Sequence, residues 1–425
     1  MDLQEWLNRR RSRRRMLQGL GIFAGAGLAL ESGIFTLNKA RALMAADDAN
    51  AIPINHILIA CQENRTFDNY FGYYSRAGKF GVPANYGQPN GKGGTVTPHH
   101  TSWPISNNPN HSWQDIHNEW HNGAMDGFYT TDGSTALEYY TRSDLSYYHA
   151  LADKFTLCGN YFCSLLGPST PNRLVQIAGT SGGNTTNSVD KGSLDWPTIV
   201  DLLDAHHISW KCYNLGVGTG SLEDFNSLSF FKKWQNDARL GFNEDDYTED
   251  LNAGTLPQVS FLVTESLISE HPPADVQMGQ SKMADIINAL ISSKFWQSSV
   301  LFLTYDEGGG FFDHVPPPQV DAYGLGFRVP TTIVSPWVKR GYVSGTLYEH
   351  TSLLKFIERR FNLPTLASVN HQFDTATPGT NNDAAHGQST GPAFAPRDAL
   401  DQIGDFYDAF DFTQDPNYYP NLPTG

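Results

Sequence analysis

Thr304-Tyr305-Asp306-Glu307-Gly308-Gly309-Gly310-Phe311-Phe312-Asp313-His314-Val315-Pro316-Pro317-Pro318 is the stretch around which the chain is read. The apolar run Val300 to Leu303 feeds into it, and an apolar run bounded by glycine reads as a buried strand. Two adjacent carboxylates, Asp306 and Glu307, then stand where that strand ends. In open α/β sheets ligands bind at the carboxyl ends of the strands. Three glycines allow a tight turn and close approach of the backbone to a bound group. The stretch therefore combines hard oxygen ligands, an acid/base candidate in His314 and a rigid loop. The plainer alternative is a capped helix start followed by a polyproline turn.

The same arrangement recurs elsewhere. Ile52 to Ala60 reads as a first core strand and runs into Glu63-Asn64-Arg65-Thr66-Phe67-Asp68. Val259 to Val263 reads as another and runs into Thr264-Glu265, then Glu270-His271-Pro272-Pro273. Further strands are expected at Ile208–Tyr213 and Val329–Val334. Helices are expected at Asp144–Phe155, from Pro171 to Ala178, at Leu194–His206, at Met283–Phe295 and at Thr351–Phe361 with a threonine cap. Residues 73–110, rich in Gly, Pro, Asn and Thr, read as a long surface loop, and 215–256 as loops over one face. Strands alternating with helices indicate an α/β layered domain with a mainly parallel sheet.

The 425 residues carry a formal net charge of -15. Residues 1–45 hold eight Lys/Arg against three Asp/Glu, so the remainder is more acidic still, at -20. Such a body offers nucleic-acid phosphates no electrostatic attraction and is not drawn to anionic membranes. Beyond the apolar run Gly19 to Leu30, no apolar segment approaches the length needed to span a bilayer. Four cysteines, Cys61, Cys158, Cys163 and Cys212, have no CxxC or zinc-ribbon spacing. Buried thiols and one disulfide are both open.

Ser12-Arg13-Arg14-Arg15-Met16-Leu17-Gln18 precedes an apolar run from Gly19 to Leu30. It resembles the twin-arginine export signal, with Met16 and Gln18 as mild departures. That resemblance implies a signal peptide over residues 1–46, cleaved near Ala40, Ala42, Ala45 or Ala46 or kept as an anchor. It also implies use of the twin-arginine export machinery by a bacterial protein exported already folded, hence a periplasmic or secreted location. A single catalytic domain is expected over residues 50–425.

The strand-end pairs Glu63/Asn64 and Asp306/Glu307 suit a hard or borderline divalent cation. Ser169 stands just before the expected helix, whose free N–H groups favour an anion. A hydroxyl there, beside a cation, is a candidate nucleophile toward phosphorus. Read alone, Ser169 or Thr170 serves equally as a helix cap. His111, His271, His314 and His350, each beside a turn signal, are candidates to hold phosphoryl oxygens or protonate a leaving group. His117 and His121 have HxExH rather than HExxH spacing, so a zinc protease is the weaker reading. Gly179-Thr180-Ser181-Gly182-Gly183 is not a GxSxG elbow, and no Walker loop is present. Phe230, Phe231 and Trp234 read as packing before they read as a lipid wall.

ENRTFDNYFG (63–72), HSW with GAMDGF (111–128), GPSTPNRL (167–174), EHPPADV (270–276), YDEGGGFFDHVPPP (305–318), RVPTTIVSPWVKRGYV (328–343) and EHTSLLKFIERRF (349–361) together resemble the bacterial phosphoesterase family. That family holds phospholipases C of the non-hemolytic type and related acid phosphatases. The match runs in the family's order over about residues 53–412. It implies an alkaline-phosphatase-like fold, a central mixed, mostly parallel sheet between helices. It implies a divalent metal on Glu63, Asn64, Asp306 and Glu307, a nucleophile at Ser169, and His111, His271, His314 and His350 around the phosphate pocket. The family pattern GPTxPNR stands here as GPSTPNR, and alignment on Pro171-Asn172-Arg173 selects Ser169 over Thr170. The expected activity is hydrolysis of phospholipid or similar phosphodiesters. Acid phosphatase action on small phosphate esters is the alternative, and a non-catalytic phospho-ligand binding protein is the alternative of another class. The chain resembles the short members of the family, without the C-terminal domains that many of its phospholipases carry.

Overall fold

The computed structural model describes residues 52–217, 225–374 and 393–424. The expected signal peptide, residues 1–46, lies outside the described residues. Eight strands form one sheet: β1 His56–Gln62, β2 Thr156–Cys158, β3 Trp210–Leu215, β4 Phe242–Asn243, β5 Val259–Thr264, β6 Ser299–Tyr305, β7 Thr332–Val334 and β8 Tyr342–Ser344. Their spatial order is β8-β2-β7-β6-β1-β5-β3-β4. Every pairing is parallel except the two made by β7, which runs antiparallel to β6 and β2. The expected α/β architecture with a mixed, mostly parallel sheet is thus what the chain adopts.

The central strands are unbroken apolar runs because both faces are covered. Every residue of β5 and β6 is buried, and so is all of β1 after His56. β5 connects to β6 through the helix Val276–Ser292, and the two strands flank β1 on either side. The β1–β6 register pairs Gln62 with Tyr305. Glu63 and Asp306 therefore leave the sheet side by side, with the Asp306 N–H donating to the Gln62 carbonyl at 3.1 Å.

Several elements differ from the sequence expectation. The first strand starts four residues later and runs on to Gln62. The helix expected over 194–206 is confined to Ile199–Ala205, since Pro197 cannot donate and Thr198 caps the start with Asp201. Leu194 instead bridges to Phe231. Residues 215–256 contain an unexpected helix, Glu244–Ala253, opened by an Asn243/Asp246 capping box and closed by left-handed Gly254. The helix expected over 283–295 begins seven residues earlier, where the Asp275 side chain caps it, and ends at Ser292. Thr351 is the first helical residue rather than the cap, and its hydroxyl donates to Glu349. Residues 73–110 are mostly irregular but contribute strands to two short two-stranded ladders. All four cysteines are buried and free, which resolves the thiol question against a disulfide. Among the described residues no helix is long and apolar enough to cross a membrane.

Candidate active site

Three segments converge at the carboxyl edge of β1 and β6. Glu63 and Asn64 follow β1, Asp306 and Glu307 follow β6, and all four are fully buried. The helix Ser169–Ala178 opens at the same place. Its N-cap is Pro168, with no side-chain cap bond, so Ser169 does not act as the cap. Pro171 is the third helical residue rather than the first. This is tolerated because first-turn N–H groups have no intrahelical partner. The Ser169 Oγ lies 3.2 Å from Glu63 Oε2 and 3.3 Å from Asn64 Oδ1. Thr170 instead gives its backbone N–H to Asn187 Oδ1 at 2.8 Å.

Asn64 holds a left-handed backbone, φ +60°, which Asn tolerates better than most residues. Its amide links Ser169 to a histidine. Oδ1 accepts from Ser169, while Nδ2 donates to His111 Nε2 at 3.3 Å. The His111 Nδ1–H donates to the Pro109 carbonyl at 2.8 Å, which fixes the tautomer. The His271 ring stands edge-on to His111, centroids 5.4 Å apart, with Nδ1–H donating to the Pro272 carbonyl at 2.7 Å. Burial holds the His271 imidazole below its ordinary pKa. His350 is fully buried, and its Nε2–H donates to the Asp306 carbonyl at 2.8 Å while Tyr161 OH meets Nδ1 at 3.0 Å. His350 thus braces the backbone of Asp306.

His314 sits in a different network. Its backbone N–H and its Nδ1 both bond Asp68 Oδ2, at 2.8 and 2.6 Å. Arg328 then joins Asp68 Oδ1 at 2.9 Å to Asp313 Oδ1 at 3.0 Å. Burial pushes the Asp313 carboxyl up to about 6 against the pull of Arg328. Of the four histidines, the structure brings His111 and His271 together beside Asn64 and sets His350 behind Asp306. The bonds of His314 tie it to Asp68 and Arg328. His117 and His121 lie apart in their bonding: His117 Nδ1 meets the Trp113 carbonyl, and His121 pairs with exposed Asp126.

Arg173 is the residue sequence reasoning did not single out. One helical turn after Ser169, its guanidinium pairs with Glu63 and, at 3.1 Å, with Asp306 Oδ2. The signal was present in the i, i+4 spacing of Ser169 and Arg173. Burial drives the Glu63 and Glu307 carboxyls well above the ordinary range. Asp306 stays below it, where Arg173, Glu63 and the Asn64 N–H outweigh its burial.

Two groups of oxygen donors compete as the place for a divalent cation. Asp68, Asp313 and His314 bring one ligand atom each within 4.8 Å of one another. There, however, Arg328 already supplies the positive charge, and none of the ligand oxygens is left without a partner. At Glu63, Asp306 and Glu307 a single guanidinium faces three buried carboxylates, and Glu307 Oε1 has no partner. Excess buried negative charge with an orphaned oxygen is what a bound cation relieves. Glu63, Asn64, Asp306 and Glu307 therefore fit a hard divalent ion, and the Asp68 group reads as a closed ion-pair lock.

Residues 54–364 match the Phosphoesterase family. The chain belongs to that family. It is 32% identical over 389 residues to a non-hemolytic phospholipase C of Burkholderia pseudomallei, covering 73% of this chain and 55% of that one. It is 32% identical to a hemolytic phospholipase C of Pseudomonas aeruginosa, covering 80% and 57%. It is also 32% identical to phospholipase C B of Mycobacterium tuberculosis, covering 80% and 81%. The chain thus spans little more than half the length of the first two relatives. Similar solved structures include the lipoteichoic acid synthase LtaP of Listeria monocytogenes, with 10% identity, TM-score 0.40 and 77% and 78% coverage. An alkaline phosphatase superfamily protein of Vibrio parahaemolyticus is similar at 12% identity and TM-score 0.37, over 77% and 76% of the two chains.

Proposed function

We propose that the protein is an exported, metal-dependent phosphoric ester hydrolase of the phospholipase C type, with Ser169 as nucleophile. The observation that carries this reading is the direction of the Ser169 hydroxyl. It stands at a helix N-terminus yet leaves the helix uncapped and turns to Glu63 and Asn64. The phospholipase C names of the relatives support the same substrate class.

A divalent ion on Glu63, Asn64, Asp306 and Glu307 would supply charge neutralisation for the phosphoryl group and lower the pKa of the Ser169 hydroxyl. Ser169 Oγ attacks phosphorus in line; the Oγ–P bond forms and the ester P–O bond to the alcohol breaks. The proton lost from Ser169 is balanced by one delivered to the leaving oxygen. His111 and His271, paired beside Asn64, are placed to relay it. Water then attacks the phosphoserine. His271 is suited to accept the water's proton, because burial favours its neutral form. The positive end of the Ser169–Ala178 helix would favour the charge on the phosphoryl oxygens. Beside Pro168 and His111 lies a cavity of about 380 Å³, walled in part by Trp113, Thr186 and Asn187. That space supports a substrate with a bulky substituent on the phosphoryl group.

The test is a paired assay on metal-replete protein, with Ser169→Ala and chelator-treated enzyme as controls. Release from p-nitrophenylphosphorylcholine and phosphatidylcholine, with little from p-nitrophenyl phosphate, is the expected result. Release mainly from the monoester at low pH would make the protein an acid phosphatase. Silence in both arms would favour a phospho-ligand binding protein. Turnover undiminished in Ser169→Ala would remove the assigned nucleophile. N-terminal sequencing of protein recovered outside the cytoplasm, with and without Arg13 and Arg14 replaced by Lys, tests export.

A further inference from the structure

Behind the His111 loop lies a second group of carboxylates that the proposed reaction does not use. Glu119, on the helix Trp113–Trp120, is fully buried, and neither of its carboxylate oxygens has a partner. The Asp132 carboxyl lies within hydrogen-bonding reach of it. Asp132 Oδ1 accepts from the backbone N–H and the side-chain amide of Asn110, both at 2.7 Å, while its Oδ2 is buried without a partner. Asp115 and Glu307 add negative potential at Glu119, and no cationic group bonds Glu119 or Asp132 among the described residues. A shared proton would satisfy one contact between the two carboxyls. It would leave the other Glu119 oxygen unsatisfied in the interior, where an unpaired carboxylate oxygen is costly.

The Asn110 carbonyl closes the group. A Cβ on Gly310, where φ is +76°, would sit 2.5 Å from the Asn110 carbonyl oxygen and 3.3 Å from Glu119 Oε1. Both oxygens therefore crowd the same point of the glycine turn. Two carboxylates and a carbonyl, all hard oxygens and with no nitrogen or sulfur donor among them, suit Ca²⁺ better than a softer transition ion.

We propose that Glu119 and Asp132, with the Asn110 carbonyl, form a second cation site, of the calcium type, distinct from the one at Glu63, Asn64, Asp306 and Glu307. Its occupant fastens the segment bearing His111 onto the Gly308–Gly310 turn. Asn110, the neighbour of His111, is held by Asp132, and Gly310 lies four residues after Asp306. The ion thus sets the distance between His111 and the Asp306 side of the site without touching substrate. This site rests on the oxygen geometry around Glu119, and its existence does not require the proposed reaction.

The test counts ions on the full-length protein. Chelator-treated protein is equilibrated with Ca²⁺ at saturating concentration, dialysed against trace metal, and analysed by mass spectrometry of the elements; its melting temperature is followed through the same titration. Wild type is expected to hold a calcium ion that Glu63→Gln retains and that Glu119→Gln and Asp132→Asn each lose. The calcium-induced rise in melting temperature should vanish with it. Asp132 is only partly buried, so Asp132→Asn remains informative if Glu119→Gln fails to fold. Calcium retained at wild-type stoichiometry in folded Asp132→Asn, or none bound by wild type and Glu63→Gln alike, would overturn the proposal. Loss of an ion only in Glu63→Gln would place the sole metal at the first site, which also contradicts the second. An inactive wild type that still binds the Glu119-dependent ion would count against the hydrolase reading alone.

Discussion

At the scale of single residues, Arg173 decides whether the acidic site can exist in the folded chain. It is one guanidinium, almost wholly buried, pairing with Glu63 and Asp306. Removing one partner of a buried pair strands the others without compensation. Arg173→Met is therefore expected to cost about 3–5 kcal/mol in urea unfolding of metal-free protein. The loss should be smaller once a divalent ion is added, because the ion takes over part of the neutralisation. An equal loss with and without metal would argue against cation binding at these carboxylates. Ser169→Ala makes the opposite contrast. It deletes one hydroxyl whose contacts are long, so melting should change little while turnover falls on the order of 10⁴-fold or more.

At the scale of elements, the site depends on two strand ends and one helix start held in register. Gly309, with φ +63°, lies where a Cβ would stand 2.5 Å from the Asn64 carbonyl oxygen and 2.6 Å from Asn64 Cβ. Its N–H also donates to Glu307. Gly309→Ala should cost roughly 1–3 kcal/mol in backbone strain. It should also lower kcat/KM by about 10²-fold through displacement of Asn64. Strand ends were legible in the sequence because doubly buried parallel strands are unbroken apolar runs, and Asp306 and Glu63 interrupt them abruptly. Helix Glu244–Ala253 was not, because its polar sequence lacks a strong apolar face; its Asn243/Asp246 capping box and Gly254 were the available signals. The placement of Arg173 one turn after Ser169 was legible in spacing, whereas the lock joins Asp68 to Arg328 and Asp313, more than 200 positions away, and needed the fold. For the same reason the histidines could be chosen by their turns but not sorted. His314 bonds Asp68, and nothing local to Pro316-Pro317-Pro318 announces it.

At the scale of the whole molecule, burial of titratable groups makes stability depend on pH. His149 lies in the core between Phe71 and Tyr74, with Nε2–H donating to the Tyr70 carbonyl at 3.0 Å. Burial lowers its pKa to about 4. Between about 6.5, the unfolded value, and 4 the unfolded chain binds the extra proton, so the folded state loses stability as the pH falls through that window. The loss amounts to about 3 kcal/mol by pH 4. In chemical denaturation, the stability of wild type minus that of His149→Phe should fall by that amount between pH 7 and 4. A flat difference would mean that His149 is not held neutral. The buried carboxyls of Glu63, Glu119 and Glu307, pushed upward, act in the opposite sense. Each favours the folded state at low pH and loses that advantage as the pH rises, unless a cation replaces the proton. Metal should therefore stabilise the molecule more at pH 8 than at pH 5.

The central claim is that Ser169 carries the phosphoryl group. The most direct measurement is mass spectrometry of peptides from enzyme quenched in acid during turnover of p-nitrophenylphosphorylcholine. The account predicts a phosphorylcholine adduct on Ser169, absent from Ser169→Ala and retained in Thr170→Val. An adduct on Thr170 or on a histidine, or steady turnover with no covalent adduct in any quenched sample, would contradict it.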